Sequence, residues 1–294
     1  MRRRFLAAFC ISITASLAAA QRADKLLIIH ADDLGMAHSV NAASIKALES
    51  GAINSASVMV PCPWFPEIAA WARQHADADL GLHLTLTSEW AYYRWGPVLS
   101  KTLVPSLLDP DGYLHRTETE AAAKIDPAEA EAEIRAQIAR ARAFGIRPTH
   151  LDAHMRTLHQ NAALFRVLLK VAHDNGIPAA IPRAFTNRAD FGPLIGPGDI
   201  VIDNMITITP EVSSKQWASY YEETIHNLKP GLTELIVHLG YDDAELQAIT
   251  ADHPNWGAAW RQRDFNVLRS DRFRRLLRDY GVKLVTWREL SMSR

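Results

Sequence analysis

The sequence predicts an α/β fold in which a parallel sheet curls into a (β/α) barrel, closed or distorted, of about seven or eight parallel strands in a single domain. Two observations carry this. Apolar runs of strand length recur along the chain with helical patterns between them, and such alternation implies parallel strands joined by crossover helices. Their number suits a barrel better than an open, doubly wound sheet, which is the runner-up. A third observation, the absence of any Gly/Ser-rich or low-complexity linker in 294 residues, argues for one domain.

In chain order, three arginines at positions 2 to 4, a largely apolar run from Phe5 to Leu17 and Ala18-Ala19-Ala20 have the layout of an export leader cleaved near Ala20. The run is too short and too alanine-rich for a span, which needs roughly 20 apolar residues, and no later stretch approaches that length. The expected organisation is thus a signal peptide over 1–20, a barrel domain over 21–294, and a periplasmic or secreted location. Strand patterns follow at "KLLIIHA" (25–31), "SASVMV" (55–60), "DLGLHLTL" (79–86), "HLDAHM" (150–155), "IPAAIP" (177–182), "VIDNMITI" (201–208), "TELIVHLG" (233–240) and "VKLVTW" (282–287). Helical patterns lie at 41–50, 64–75, 127–144, 160–175 and 262–280. The stretch 88–126 has no clear period and exceeds ordinary connections, so it reads as an insertion or lid after the third strand. Its tryptophans and tyrosines suit a sugar face and suit loop packing equally well.

Composition excludes several functions. Loss of the leader removes three arginines and no acid, leaving 29 basic against 33 acidic residues, a formal −4, and no basic block for a nucleic acid. Cys10 departs with the leader and Cys62 remains alone, which rules out an intramolecular disulfide and a cysteine-rich zinc site.

Side chains alternate along a strand, so His83, Thr85 and Thr87 share the face opposite Leu80, Leu82, Leu84 and Leu86, and Asp152 shares a face with His154. With helices outside, the leucines face the helices and His83 faces the interior. Asp32 and Asp33 close the first strand, where a curl aided by Gly35 would present both carboxylates to one cavity. His238 ends a later strand. A lone inward histidine is by default a hydrogen-bonded core residue, and an Asp-Asp pair is by default a helix cap. Here Asp32, Asp33, His83, His154 and His238 gather at four strand ends with Asp152 behind them, at the end where barrel enzymes build their sites. One carboxylate and two imidazoles make an open site for a divalent ion, and a second aspartate beside it is placed as a general base. His30 and His150 lie near the cluster. His38, His75, His115, His159, His173, His226 and His253 fall on helices or loops, where a solvated role is the default.

The segments "ADDLGMAHSVN", "LGLHLTLT", "PTHLDAHM" and "PGLTELIVHLGYDDAEL", in that order, resemble the YdjC-like carbohydrate deacetylases, related to the chitooligosaccharide deacetylases. The resemblance implies a deformed, TIM-like barrel and metal-dependent hydrolysis of an N-acetyl group on an amino sugar or oligosaccharide. It implies Asp33, His83 and His154 as metal ligands, Asp32 as general base and His238 as the acid for the leaving amine. The metal would be magnesium or zinc, with cobalt and manganese also compatible. Arg156 stands where many relatives carry a further histidine, and "VHLG" replaces the frequent "VHPG". Asp152, Arg156 and Arg263 are assigned to substrate binding or to support of the ligands. The partner is an amino-sugar or oligosaccharide substrate, and a homodimer is a compatible assembly. Two other readings stay open: metal-dependent hydrolysis of an ester or phosphoester, for which no anion cradle is visible, and a non-catalytic sugar-binding protein.

Overall fold

The computed structural model describes residues 24–292, so the leader expected over 1–20 lies outside them. The strands are β1 (Lys25–Leu34), β2 (Ser55–Val58), β3 (Leu80–Leu84), β4 (Leu151–Ala153), β5 (Ile181–Pro182), β6 (Val201–Ile202), β7 (Asn204–Thr207), β8 (Gly231–Val237) and β9 (Val282–Leu284). The helices are α1 (His38–Glu49), α2 (Phe65–Ala72), α3 (Glu118–Lys124), α4 (Pro127–Ala143), α5 (Ala162–Asn175), α6 (Arg183–Thr186), α7 (Trp217–His226), α8 (Ala244–Ile249), α9 (Ala258–Leu268), α10 (Asp271–Asp279) and α11 (Trp287–Met292).

Six strands run β4-β3-β2-β1-β8-β7, with β9 as a seventh against β1, and every ladder is parallel. β2 pairs with β1 only from His30 onward, so β9 occupies the ladder beside Lys25, Leu26 and Leu27 that β2 leaves free. The sheet curls into a half-barrel, in keeping with the deformed barrel expected and not with a closed one. β5 and β6 make a separate two-stranded sheet, tied to β4 by the single bridge Leu151↔Ala179. The closing side is weak for a local reason: β4 is three residues long and β5 and β6 two each, and Pro178 and Pro182 offer no backbone donor.

Strand parity holds where the sheet is regular. Leu27, Ile29, Leu82, Leu84, Leu235 and Val237 join the large core under the helices. On the opposite face Ile28 and Leu232 pack with Ala180, Ile200, Ile202, Val285 and Trp287 into a small apolar plug. Further along that inner face the residues turn polar, at His30, Asp32, His83 and Glu234, all buried. The helical pattern at 262–280 resolves into two helices, because Ser270 accepts from Phe273 N and caps α10.

Candidate metal centre at the open end of the half-barrel

β1 delivers both aspartates through a bulge. Its register with β2 slips between Ala31 and Leu34, and Asp33 lies in the left-handed region at φ 72°. That backbone turns the second carboxylate to the same cavity as the first. The other non-glycine residues with positive φ among those described are Met155 (50°) and Arg156 (55°), directly after His154. Among the described residues, left-handed non-glycine backbone thus occurs only at two of the four strand ends that carry the site.

Asp33 Oδ1 is buried without a hydrogen-bond partner, 3.5 Å from His83 Nε2 and 3.4 Å from His154 Nδ1. One ligand atom from each of these residues falls within 4.8 Å of the others. The remaining polar atoms of the trio are engaged from behind. His83 Nδ1 meets Asp152 Oδ1 at 2.7 Å, His154 Nε2 meets Glu89 Oε2 at 3.0 Å, and Arg261 Nη2 donates to Asp33 Oδ2 at 2.7 Å. An orphaned carboxylate oxygen faced by two imidazole nitrogens is a donor set that fits a divalent cation. Two other groupings, Asp32 with His83 and Asp152, and His30 with His150 and Asp152, reuse its neighbours. In the second, His30 is already spent on Ser55, Ser57, Asp32 and Asp152.

Charge within the cluster is finely balanced. Burial pushes the Asp33 carboxyl up, but the Arg261 guanidinium and His154 outweigh it and hold the group well below the usual carboxylate range. Burial disfavours the imidazolium of His154, yet Glu89 and Asp33 raise it to about 10. His30, between Asp152 and Asp32, is likewise raised well above its ordinary value against its burial. His238 goes the other way: burial lowers it, and Asp33 and Asp32 only partly offset this.

Asp32 presents Oδ1 to His30 Nε2 at 3.1 Å, while Oδ2 lies 3.8 Å from His83 Nε2 and 3.9 Å from His238 Nε2. The His238 ring packs edge-on to Trp256, its Nδ1 is buried and unpartnered, and its backbone N–H donates to Asp264 Oδ2 at 3.1 Å. Asp264 Oδ1 also accepts from Trp217 Nε1 and the Tyr221 hydroxyl. These groups open into a cavity of about 440 Å³, walled further by Trp90, Arg116, Glu118, Arg156, Met205 and Trp256.

Of the residues expected from the sequence, Asp32, Asp33, His83, Asp152, His154, Arg156 and His238 all line this cavity. Arg263 does not. It stacks over Trp217, and the guanidinium that enters the site is Arg261, one the sequence reading passed over along with Glu89 and Asp264. Two histidines expected in solvent are buried: His115, against Ser106 O, and His159, between Phe165 and Phe185. In the insertion, Trp95 packs inside and donates to Thr87 O, Trp90 lines the cavity, and Tyr92 is exposed.

A family profile described as "YdjC-like protein" matches residues 26–279. The chain is 26% identical over 276 residues to a carbohydrate deacetylase of Brevibacillus brevis, covering 90% of this chain and 99% of the relative. It is 30% identical over 275 residues to a carbohydrate deacetylase of Thermus thermophilus, covering 90% and 93%. A chitooligosaccharide deacetylase of Serratia marcescens is 30% identical over 173 residues, 57% of this chain and 63% of that one. Among solved structures, one from Enterococcus faecalis V583 described as a cellobiose-phosphate cleavage protein superposes with TM-score 0.75 at 24% identity, covering 91% and 99%, a likeness that concerns the fold alone.

Proposed function

The chain belongs to the YdjC-like protein family, and from that membership together with the trio of Asp33, His83 and His154 we propose a metal-dependent hydrolase that removes an N-acetyl group from an amino sugar or oligosaccharide and releases acetate. The single observation that carries the metal is the buried, unpartnered Asp33 Oδ1 facing two imidazole nitrogens. Two nitrogen donors to one oxygen favour zinc over magnesium, which prefers oxygen ligands. Bound there, a divalent cation supplies Lewis acidity to the amide carbonyl and to water.

The proton traffic belongs to the protein. Asp32, steadied through Oδ1 by His30, is the base that takes a proton from the attacking water. His238 is held neutral by its burial, so it must gain a proton before giving one. Asp32 Oδ2, 3.9 Å away, is the nearby source. The proton then passes to the departing nitrogen as the C–N bond breaks, since an amine anion is too poor a leaving group. Arg156 lines the cavity and has no ion-pair partner among the described residues, so it is the side chain read here as contacting the sugar. As part of the same proposal, the leader-like pattern at 1–20 supports export of the chain, with the reaction taking place outside the cytoplasm.

The test is acetate release by metal-reconstituted protein from a panel of N-acetylated oligosaccharides. Asp33→Ala should lose metal and turnover together. Asp32→Asn should keep metal and lose at least roughly 100-fold in kcat. Undiminished deacetylation in both variants, or release of phosphate where acetate is expected, would overturn the reading.

A further inference from the structure

Each proposed ligand is held from behind by one charged side chain, and the three supports differ in origin. Asp152 comes from β4 inside the sheet and fixes His83. Arg261 comes from α9 and fixes Asp33. Glu89 comes from the insertion and meets His154. The His154 ring has the least help from the sheet, because β4 ends at Ala153 and the chain enters the left-handed turn at Met155 and Arg156. The His83 ring of β3 packs edge-on to it at 5.1 Å, and two insertion residues flank it: Glu89, whose Oε2 lies 3.0 Å from Nε2, and Trp95, whose ring centre lies 6.3 Å away. The Glu89 side chain is only 11% exposed, and its backbone carbonyl accepts from Arg116, which also donates to Asp252.

We propose that Glu89 is a positioning residue of the metal centre. It accepts the Nε2–H of His154, selects the tautomer whose Nδ1 faces Asp33, and so makes cation binding depend on the insertion being in place. A histidine ligand commonly donates its second N–H to a carboxylate, and loss of such a partner costs roughly 10–100-fold in affinity. Here that carboxylate is supplied by a segment outside the (β/α) framework. The inference rests on the metal site proposed above, though not on the reaction assigned to it.

The experiment is chelator-competition titration of the metal-depleted full-length chain with Zn²⁺ alone, in the wild type, Glu89→Ala, Glu89→Gln and Glu118→Ala. Glu89→Ala should weaken binding at least about tenfold. Glu89→Gln, which keeps an acceptor oxygen, should recover part of that loss. Glu118→Ala removes an acid from the same cavity wall and should stay within about twofold. Saturation with Co²⁺ supplies a readout that a merely structural role would not move, because the visible absorption of the cobalt centre should shift in Glu89→Ala. Wild-type-like affinity and an unshifted cobalt spectrum in Glu89→Ala would overturn the proposal. Should Glu89→Ala fail to fold, Glu89→Gln binding with wild-type affinity and an unshifted spectrum would do the same. No substrate is involved, so weakened metal binding in a protein that deacetylates nothing would defeat the functional reading and leave this inference standing.

Discussion

His154 stands at about 10 between two carboxylates, so the metal-free site holds a proton where a cation would bind. A metal ligand must be neutral, and binding therefore expels that proton. Against its burial, Asp32 and Asp152 raise the His83 imidazole as well, so calorimetric titration with Zn²⁺ in buffers of different ionisation enthalpy should show release of at least one proton near pH 7, with affinity falling as the pH drops. An enthalpy independent of the buffer would contradict this. Most of these side chains were readable in the sequence because each sits at the end of an apolar run, with its direction given by strand parity. The substitution of Arg261 for Arg263 shows where such reading fails. Two residues apart on a helix point to nearly opposite sides, and only packing decides which side is inward. A signal was present all the same: Arg261 shares the helical spacing of Ala258, Phe265 and Leu268, all buried, whereas Arg263 falls between them.

At the scale of elements, the end of β1 shows how a short segment can be legible in kind and not in detail. A curl after "HADD" was expected from Gly35. The structure begins the turn two residues earlier, at Asp33, and uses Gly35 to finish it. Gly35 has φ 92°, and a Cβ there would lie 2.9 Å from Met59 O. Gly35→Ala therefore meets both a disfavoured backbone region and a fixed carbonyl, and should cost about 2–4 kcal/mol, seen as a lower urea midpoint. An unchanged midpoint would mean the bulge relaxes freely. The insertion was legible as irregular chain and no further. Its anchor on α4 is Glu133, whose buried carboxylate accepts from Val98 N and Leu99 N, while the neighbouring Gln137 holds the Thr85 backbone just before the insertion begins. In sequence they look like polar residues on a solvated helix, and only the arriving loop backbone gives them partners.

Across the whole molecule, buried titratable groups oppose one another. Burial holds His159 and His150 down to about 4, the latter helped by the charge on His30. Both bind protons more readily when unfolded, so each takes stability away as pH falls from about 6.5 to 4. Burial raises Glu234 to about 7 and Asp264 to about 6, and these take stability away as pH rises through the same range. The wild type should accordingly have a flatter acid limb than any variant that removes one side. His159→Phe, placed among Phe165 and Phe185, should gain stability relative to wild type on acidification from pH 6.5 to 4, by about 2–3 kcal/mol. Urea midpoints of the two proteins across that range test it, and parallel curves would exclude a neutral buried His159.

Local pattern alone determined the parallel α/β character, the side of the sheet each strand residue faces, and the gathering of Asp32, Asp33, His83, His154 and His238 at strand ends, because period-two alternation and strand ends are properties of neighbouring residues; which three of them would hold a metal came from the family resemblance. Packing over long sequence distances decided the rest. Pairing lengths at β4, β5 and β6 decided for a half-barrel over a closed one, the bulge at Asp33 turned two adjacent carboxylates into one cavity, and helix α9 and the insertion brought Arg261 and Glu89 to Asp33 and His154. Those outcomes depend on which distant surfaces meet, and no window of adjacent residues contains that information.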